Sequence, residues 1–152
     1  MTMNVTDTEV GTLRAGFLGG GFMAAVHSRA VRAAQATPAL IASSRPESSK
    51  TAARALGIAE AASDPSELIA ADIDVVHVCT PNATHAAYAA AALAAGKHVI
   101  CEKPLATSAD EALALATTAR ESGLVAAVPF VYRYHPQVRE MRARIARGEL
   151  GA

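Results

Sequence analysis

The chain has little that marks a secreted or nucleic-acid-binding protein. Its 152 residues include only two cysteines, and 14 basic residues balance 14 acidic ones to a formal net charge of zero. Two cysteines in a chain of this size form no disulfide framework, so a reducing, cytoplasmic compartment is the simpler expectation. A net charge of zero argues against a nucleic-acid partner, which usually needs a basic surface to attract phosphates.

Long hydrophobic runs and targeting signals are also lacking. No apolar run reaches the ~20 residues that a bilayer-spanning helix needs, so we expect no membrane partner. The polar start, residues 1–11, has neither the basic end nor the apolar middle of a signal peptide, and we expect a flexible tail there. Apolar residues nevertheless make up 51% of the chain, enough for the core of one domain of ordinary size.

What the chain does contain is an alternation of short apolar runs with longer alanine-rich stretches. This alternation predicts an α/β fold of the Rossmann type, a doubly wound and mostly parallel sheet of about six strands. We assign residues 12–131 to a domain of this fold, with strands at 13–18, 39–43, 73–79, 98–101 and 124–131. Residues 132–152 are predicted to form an amphipathic helix with Val138, Met141 and Ile145 on one face.

A glycine-rich turn follows the first predicted strand. Residues 19–24 have the sequence Gly-Gly-Gly-Phe-Met-Ala, which matches the G-x-G-x-x-G/A pattern between a strand and a helix. In that pattern Gly19 allows the tight turn, and Gly21 lets the backbone approach a pyrophosphate at the helix N-terminus. The helix is predicted from Phe22, Val26, Ala30 and Ala33 at helical spacing. The alternative is a glycine turn that binds nothing. The candidate cofactor-binding residues are Gly19, Gly20, Gly21, Phe22 and Met23.

The end of the second predicted strand bears on which dinucleotide binds. Sites for NAD usually carry an acidic residue there to hold the ribose 2′-hydroxyl, but this chain has Ser43, Ser44 and Arg45. Two hydroxyls and a guanidinium can bind a 2′-phosphate, and no carboxylate repels it. The sequence therefore favours NADP over NAD. The alternative is that Arg45 is only a solvated residue leading into the next helix.

Polar residues also follow two later strands, where ligands of open α/β sheets gather. After the fourth predicted strand comes Glu102-Lys103-Pro104, and we expect Lys103 to be the catalytic residue. A lysine there can hydrogen-bond a substrate hydroxyl and stabilise the alkoxide as hydride leaves, while Glu102 orients it and Pro104 fixes the backbone. The alternative is an ordinary exposed Lys–Glu pair.

Several histidines, tyrosines and cysteines outside these motifs are also candidates for functional roles. His77, Cys79 and Cys101 match no zinc-site spacing, so we expect no metal. His27 is interpreted as a helix-face packing residue, and Tyr132 and Tyr134 as packing residues near the mouth of the cleft. His85 is interpreted either as a capping residue or as a cofactor contact.

Together these segments resemble the N-terminal domain of the glucose-fructose oxidoreductase, inositol 2-dehydrogenase and rhizopine catabolism family (Gfo/Idh/MocA), over residues 12 to 150. The resemblance lies in the glycine turn with Val26-His27, in residues 75–82 with His85, in 95–106 and in 132–136. It implies that the glycine turn holds the pyrophosphate, that Glu102 contacts the cofactor and that Lys103 acts near the substrate hydroxyl. The residues that it places on the ribose and nicotinamide side are Thr80, Pro81, Asn82 and His85.

For function, the resemblance implies an NAD- or NADP-dependent oxidoreductase acting on a secondary alcohol of a sugar, inositol or similar polyol. Many members have Asp where this chain has Ser44, which leaves the cofactor preference open. The resemblance makes residues 12–131 the dinucleotide-binding domain and residues 132–152 a linker helix toward a missing C-terminal substrate domain, where the family places further catalytic residues. We therefore expect the chain alone to bind dinucleotide but turn over little substrate, and the full-length protein to be a homo-oligomer. The alternatives are a dinucleotide-sensing regulator without catalysis and a cofactor-free scaffold.

Overall fold

Within residues 12–149 and 151, which the computed structural model describes, six strands form one sheet in which all paired strands run parallel. The strands are β1 (Arg14–Leu18), β2 (Thr37–Ala42), β3 (Glu60–Ala61), β4 (Val75–Val78), β5 (His98–Cys101) and β6 (Ala126–Ala127). Their order in the sheet is β3-β2-β1-β4-β5-β6, so the first strand lies in the middle and the later strands are added on both sides of it. The predicted flexible tail, residues 1–11, lies outside the described residues.

Helices connect the strands, and local sequence sets several of their ends. The helices are α1 (Phe22–Ala33), α2 (Pro46–Leu56), α3 (Pro65–Ala70), α4 (His85–Ala94), α5 (Ala109–Ser122) and α6 (Pro136–Ala146), with 3-10 helices at Asn82–Thr84 and Val131–Tyr134. Asp64 and Ser108 accept hydrogen bonds from backbone N–H groups as N-caps of α3 and α5. Gly57 and Gly123 end α2 and α5 in the left-handed conformation that glycine adopts without strain.

Both faces of the sheet are covered by apolar clusters, as the doubly wound fold requires. On one face, Phe17 and Ile41 of the sheet pack with Val31 of α1 and Ala52 of α2. On the other face, the sheet packs with α3, α4 and α5. The residues of this second cluster include Leu18, Leu68, Val76, Val78, Leu93 and Leu115. The predicted fold class is therefore confirmed. No helix among the described residues is long and apolar enough to cross a membrane.

The glycine-turn helix is confirmed, but its buried face differs from the apolar spacing in the sequence. Phe22, Val26, Ala30 and Ala33 are all exposed, and Phe22 retains 79% of its accessible surface. The buried residues of α1 are Ala24, His27, Ser28 and Val31. Small side chains allow the helix to lie close to the sheet, and the larger Phe22 stands at the rim of the cleft beside the glycines.

Two strands and the C-terminal segment also differ from the prediction. The last strand is Ala126–Ala127 rather than 124–131, and Val131 already begins a 3-10 helix. The two-residue strand β3 was not among the predicted strands. Tyr132 and Tyr134, interpreted as packing residues, are 77% and 75% exposed. The predicted terminal helix forms, but none of its residues is buried in the described chain, and the boundary between residues 131 and 132 stays a prediction.

Candidate functional site

The candidate site lies where the winding of the sheet reverses, at the carboxyl ends of β1 and β4. A cleft of about 680 Å³ opens there. Its walls come from the glycine turn after β1, the serines after β2, the loop after β4 and the start of α4. The lining residues are Leu18, Gly19, Gly20, Gly21, Phe22, Met23, Ala42, Ser43, Ser44, Pro65, Cys79, Thr80, Pro81, Thr84 and Tyr88.

The three glycines have different local requirements. Gly19 has φ of +98°, and a Cβ on it would stand 2.5 Å from the carbonyl oxygen of Cys79. A Cβ on Gly20 would stand 2.7 Å from the Cβ of Ala52, because the turn packs against α2. A Cβ on Gly21 would meet no described atom within 4 Å beyond its chain neighbours, and its φ of −91° suits any residue. The fold therefore requires the first two glycines and leaves the space at Gly21 free.

The N-terminus of α1 faces the same cleft with its donors available. Among the described residues no side chain caps this helix, and its first turn contains no acidic residue. Free N–H groups and the positive end of the helix dipole favour an anion at this position. The open side of Gly21 gives that anion room to approach the backbone. The residues present therefore fit the pyrophosphate of a dinucleotide.

The end of β2 has the polar character expected from the sequence. Ser49, fully buried in α2, accepts a hydrogen bond of 2.9 Å from the backbone N–H of Ser43. This bond fixes the backbone where the strand ends and leaves the Ser43 hydroxyl at the cleft wall. Ser44 lines the cleft, and Arg45 follows it as the N-cap residue of α2, exposed to solvent. No carboxylate occupies this stretch of sequence.

The loop after β4 is tied to the loop after β5 by one imidazole ring. His85 is 1% exposed, and its Nδ1 lies 2.7 Å from the Pro104 carbonyl oxygen and its Nε2 2.8 Å from that of Thr80. Carbonyl oxygens only accept, so both contacts are hydrogen bonds when both ring nitrogens bear protons. His85 thus lies behind the wall of the cleft rather than in it.

Glu102 and Lys103 follow β5 as predicted, but they lie beside the cleft of the glycine turn and do not line it. Glu102 is 5% exposed, its Oε1 lies 3.1 Å from Nε2 of His27, and its Oε2 accepts a 3.1 Å hydrogen bond from the backbone N–H of Lys103. Lys103 itself is exposed, and its peptide bond to Pro104 is cis.

The structure brings together most, but not all, of the predicted site residues. Asn82 is exposed and begins the 3-10 helix next to the cleft without lining it. The cleft residues absent from the predicted site are Leu18, Ala42, Pro65, Cys79, Thr84 and Tyr88. Thr84 and Tyr88 follow Pro81 at helical intervals, a spacing that could have identified them. Pro65 reaches the cleft from α3, and nothing in its local sequence indicates this.

Burial shifts the titration of three groups at or beneath the cleft. Desolvation lowers the pKa of His77 to about 3, with a further contribution from His27. Burial raises the pKa of Cys79 to about 12, and the nearby Glu102 and Cys101 add to this shift. The Cys101 thiol has a pKa of about 12 for the same reason, with Glu102 adding to the effect. Both thiols are therefore protonated at neutral pH and are poor nucleophiles. Within the described part of the chain, no three His, Cys, Asp or Glu residues group as a metal site.

Comparison with protein families and solved structures agrees with this geometry. The profile of the Gfo/Idh/MocA family, described as "Oxidoreductase family, NAD-binding Rossmann fold", matches residues 13–130. Levoglucosan dehydrogenase of Pseudarthrobacter phenanthrenivorans is 40% identical over 149 residues, covering 91% of this chain and 38% of that protein. D-xylose 1-dehydrogenase (NADP(+)) 2 of Haloferax volcanii is 39% identical, over 81% of this chain and 38% of that protein.

Solved structures show the same likeness. Levoglucosan dehydrogenase in complex with NADH and levoglucosan matches with a TM-score of 0.85 and 38% identity, over 91% of this chain and 40% of that one. A 3-ketoreductase from Actinomadura kijaniata in complex with NADP and TDP-benzene matches with a TM-score of 0.82 and 33% identity, over 91% of this chain and 43% of that one. The chain thus spans about two fifths of the length of these proteins.

Proposed function

Because the chain belongs to the Gfo/Idh/MocA oxidoreductase family, we propose that it holds NAD(P) in the cleft between the ends of β1 and β4. We propose further that it supplies Lys103 to a dehydrogenase acting on a secondary alcohol of a sugar, inositol or related polyol. The similar proteins named for levoglucosan and D-xylose support a polyhydroxylated substrate, as does one from Bacillus subtilis named scyllo-inositol 2-dehydrogenase (NAD(+)), 36% identical over 65% of this chain.

The observation that carries the proposal is the contrast between Gly19 and Gly21. The chain's own atoms explain the absence of a side chain at Gly19, because a Cβ there would collide with the Cys79 carbonyl. They do not explain it at Gly21, where a Cβ would meet open space in front of an uncapped helix N-terminus. A ligand that approaches the backbone closely supplies the missing reason, and a pyrophosphate has the charge that this helix end favours.

Lys103 takes the chemical role at the substrate. Bound in the cleft, the nicotinamide would accept or donate the hydride at the carbinol carbon. The lysine amine hydrogen-bonds the substrate hydroxyl. It accepts the hydroxyl proton as hydride leaves the carbinol carbon, and it returns that proton to the oxygen in the reverse reaction. Glu102 fixes the backbone of Lys103 through the hydrogen bond to its N–H. In the full-length protein, Lys103→Met should lower kcat by about two to four orders of magnitude while the Kd of the dinucleotide stays unchanged.

For the dinucleotide itself, the end of β2 supports a preference for NADP. Ser43 and Ser44 line the cleft wall, and Arg45 lies next to them without an acidic neighbour before Glu47. Glu47 is paired with Lys50 at 3.0 Å, so its charge is partly neutralised. A 2′-phosphate at this point meets hydroxyl donors and a guanidinium.

The proposal is tested by calorimetric titration of the purified chain with NADPH and NADH at one fixed salt concentration. Gly21→Ala should weaken binding about tenfold, since crowding a well-packed contact costs typically 1–3 kcal/mol and 1.4 kcal/mol is tenfold. Its thermal unfolding should match the parent chain, because the Cβ meets no described atom within 4 Å beyond its chain neighbours.

Ala33→Leu, which adds bulk at the exposed far end of the same helix, serves as the matched control and should bind normally. Absence of binding to both nucleotides by the folded chain would refute the proposal. Binding that Gly21→Ala leaves intact would place the ligand elsewhere.

A further inference from the structure

A row of three buried polar side chains runs beneath the candidate site. His77 of β4, His27 of α1 and Glu102 after β5 are 4%, 6% and 5% exposed. The Nδ1 atoms of the two histidines lie 2.9 Å apart, and Nε2 of His27 lies 3.1 Å from Oε1 of Glu102. We refer to these three residues as the histidine row. Buried polar groups are costly unless they are hydrogen-bonded, so a row assembled from three separate elements indicates a specific use.

The proton positions along the row are constrained by chemistry. Carboxylate oxygens accept hydrogen bonds, so Nε2 of His27 is the donor to Oε1 of Glu102. Of the two facing Nδ1 atoms, one bears a proton and the other accepts it. His77 is neutral at ordinary pH, because burial lowers its pKa to about 3. Its ring is further held by stacking on Phe17, with ring centroids 5.0 Å apart. His27 is therefore fixed at both nitrogens.

The other end of the row leads to Lys103. The second oxygen of Glu102, Oε2, accepts the backbone N–H of Lys103 at 3.1 Å. A carboxylate is planar, so fixing Oε1 through His27 also fixes the direction of Oε2. The backbone of Lys103 is thus linked through Glu102 to the rings of His27 and His77. This backbone sets the direction in which the lysine side chain leaves the end of the strand.

We infer that His27 and His77 are positioning residues that hold Glu102 as an oriented carboxylate and through it set the placement of Lys103. The consequence for ligand binding rests on the proposed function. The structural part does not, because it can be measured in the chain without any ligand.

Two substitutions of His27 separate its two contacts. The side-chain amide of glutamine reaches the position of Nε2, so His27→Gln keeps a donor for Glu102 and gives up the contact with His77. Asparagine reaches only the position of Nδ1, so His27→Asn keeps the contact with His77 and leaves Oε1 of Glu102 without its donor. The readout is the Lys103 backbone amide, followed by its NMR cross-peak and hydrogen-exchange protection. We expect it to stay near its original position in the Gln variant and to move and lose protection in the Asn variant.

A matched pair at His77 repeats the test from the far end. His77→Phe retains a ring against Phe17 but cannot hydrogen-bond His27, whereas His77→Asn places an amide at the position of Nδ1. The Lys103 amide should move in the Phe variant and return toward its original position in the Asn variant. Equal displacement by Gln and Asn at His27, or none by either, would overturn the inference.

A double-mutant cycle guards against variants that fold poorly. Glu102→Gln removes the carboxylate and should move the Lys103 amide by itself. If His27 acts through Glu102, then His27→Asn added to Glu102→Gln should move this amide no further. Additive displacements would mean that the histidine acts by general packing, and the inference would fail.

Dinucleotide titration then measures the consequence for the site. Because Glu102 is expected to contact the cofactor, His27→Asn, which leaves its carboxylate without the donor that orients it, should bind dinucleotide about tenfold more weakly than His27→Gln. If the parent chain binds no dinucleotide, the proposed function fails while the amide measurements still decide the inference. If the parent chain binds and the two variants bind equally, the consequence for the site is wrong.

Discussion

Gly19 lies against the backbone of Cys79 where the neighbouring strands β1 and β4 end. A Cβ on Gly19 would stand 2.5 Å from the Cys79 carbonyl oxygen. Because its φ is also +98°, Gly19→Ala combines backbone strain with a collision against main chain that cannot move aside. We expect a loss of about 2–4 kcal/mol in the free energy of unfolding, measured by urea titration. Gly21→Ala is the control and should unfold like the parent chain; equal stability of the two variants would contradict the assignment.

The proposed preference for NADP over NAD can be tested at Arg45 and Ser44. Arg45→Ala should weaken NADPH binding about fivefold, because the exposed charge pair between Arg45 and the 2′-phosphate is worth up to about 1 kcal/mol. The affinity for NADH, which lacks this phosphate, should stay unchanged. The difference should shrink as salt is raised, since screening weakens exposed charge pairs. Ser44→Asp should instead favour NADH, because a carboxylate repels the 2′-phosphate and accepts a hydrogen bond from a 2′-hydroxyl. Calorimetry with both nucleotides decides this, and an Arg45→Ala variant that loses NADH equally would exclude a 2′-phosphate contact.

Acid should destabilise the chain through His77. Burial, with a smaller contribution from His27, lowers the pKa of His77 from 6.5 to about 3 in the folded state. Between about pH 6.5 and pH 3, His77 is therefore protonated in the unfolded chain but not in the folded chain. The contribution of His77 to the free energy of unfolding is complete above about pH 6.5, and it falls by about 1.4 kcal/mol per pH unit as the pH drops toward 3.

Urea unfolding from pH 7 down to pH 4 measures this slope. His77→Gln should flatten it, whereas His135→Gln, at an exposed histidine, should not. A slope unchanged in His77→Gln would mean that other groups dominate the acid sensitivity.

The two cysteines should react slowly with thiol reagents in the folded chain. Burial raises the pKa of both thiols from 9.0 to about 12, which lowers the thiolate fraction at pH 8 about a thousandfold. Reaction with a disulfide reagent should therefore be slow until urea unfolds the chain. Cys79→Ser and Cys101→Ser assign the two reactions, and rapid modification of either thiol in the folded state would disprove the expectation.

His85 should be important for stability as well as for binding. His85→Gln retains at most one of the two contacts with the carbonyls of Thr80 and Pro104, and the loss of one hydrogen bond costs about 0.5–1.5 kcal/mol. Since Thr80 lines the cleft and Pro104 follows Lys103, the proposed catalytic residue, we expect a weaker dinucleotide complex in addition to the lower stability. Urea unfolding and calorimetry measure the two effects. The exposed His135→Gln again provides the control, and a His85→Gln variant of parental stability would show that the ring does not bridge the loops.

Which features the sequence predicts depends on how local their causes are. The glycine turn is predictable because the conformation of Gly19 and the strand-turn-helix context lie within a few residues. The strand Ala126–Ala127 was overestimated, and β3 was missed, because two residues have no periodicity to detect. The buried face of α1 was misjudged because a helix that approaches a sheet closely buries small residues, and the apolar Phe22 remains at the rim of the cleft.

The histidine row was beyond prediction for a different reason. His27 and His77 are 50 positions apart, and His27 and Glu102 are 75 apart. Nothing in the sequence near His27 distinguishes it from an ordinary buried helix residue, which is how it was interpreted. Its burial is confirmed, but its partners follow only from the order of β1, β4 and β5 in the sheet.

The tie made by His85 has a consequence for how the site can move. Thr80 belongs to the wall of the cleft, and Pro104 follows Lys103. Because one ring contacts both carbonyls, at 2.7 and 2.8 Å, we expect a shift of one loop to be passed to the other. Under the proposed function, the span between the position of hydride transfer and the position of proton transfer would then depend on the width of a single imidazole.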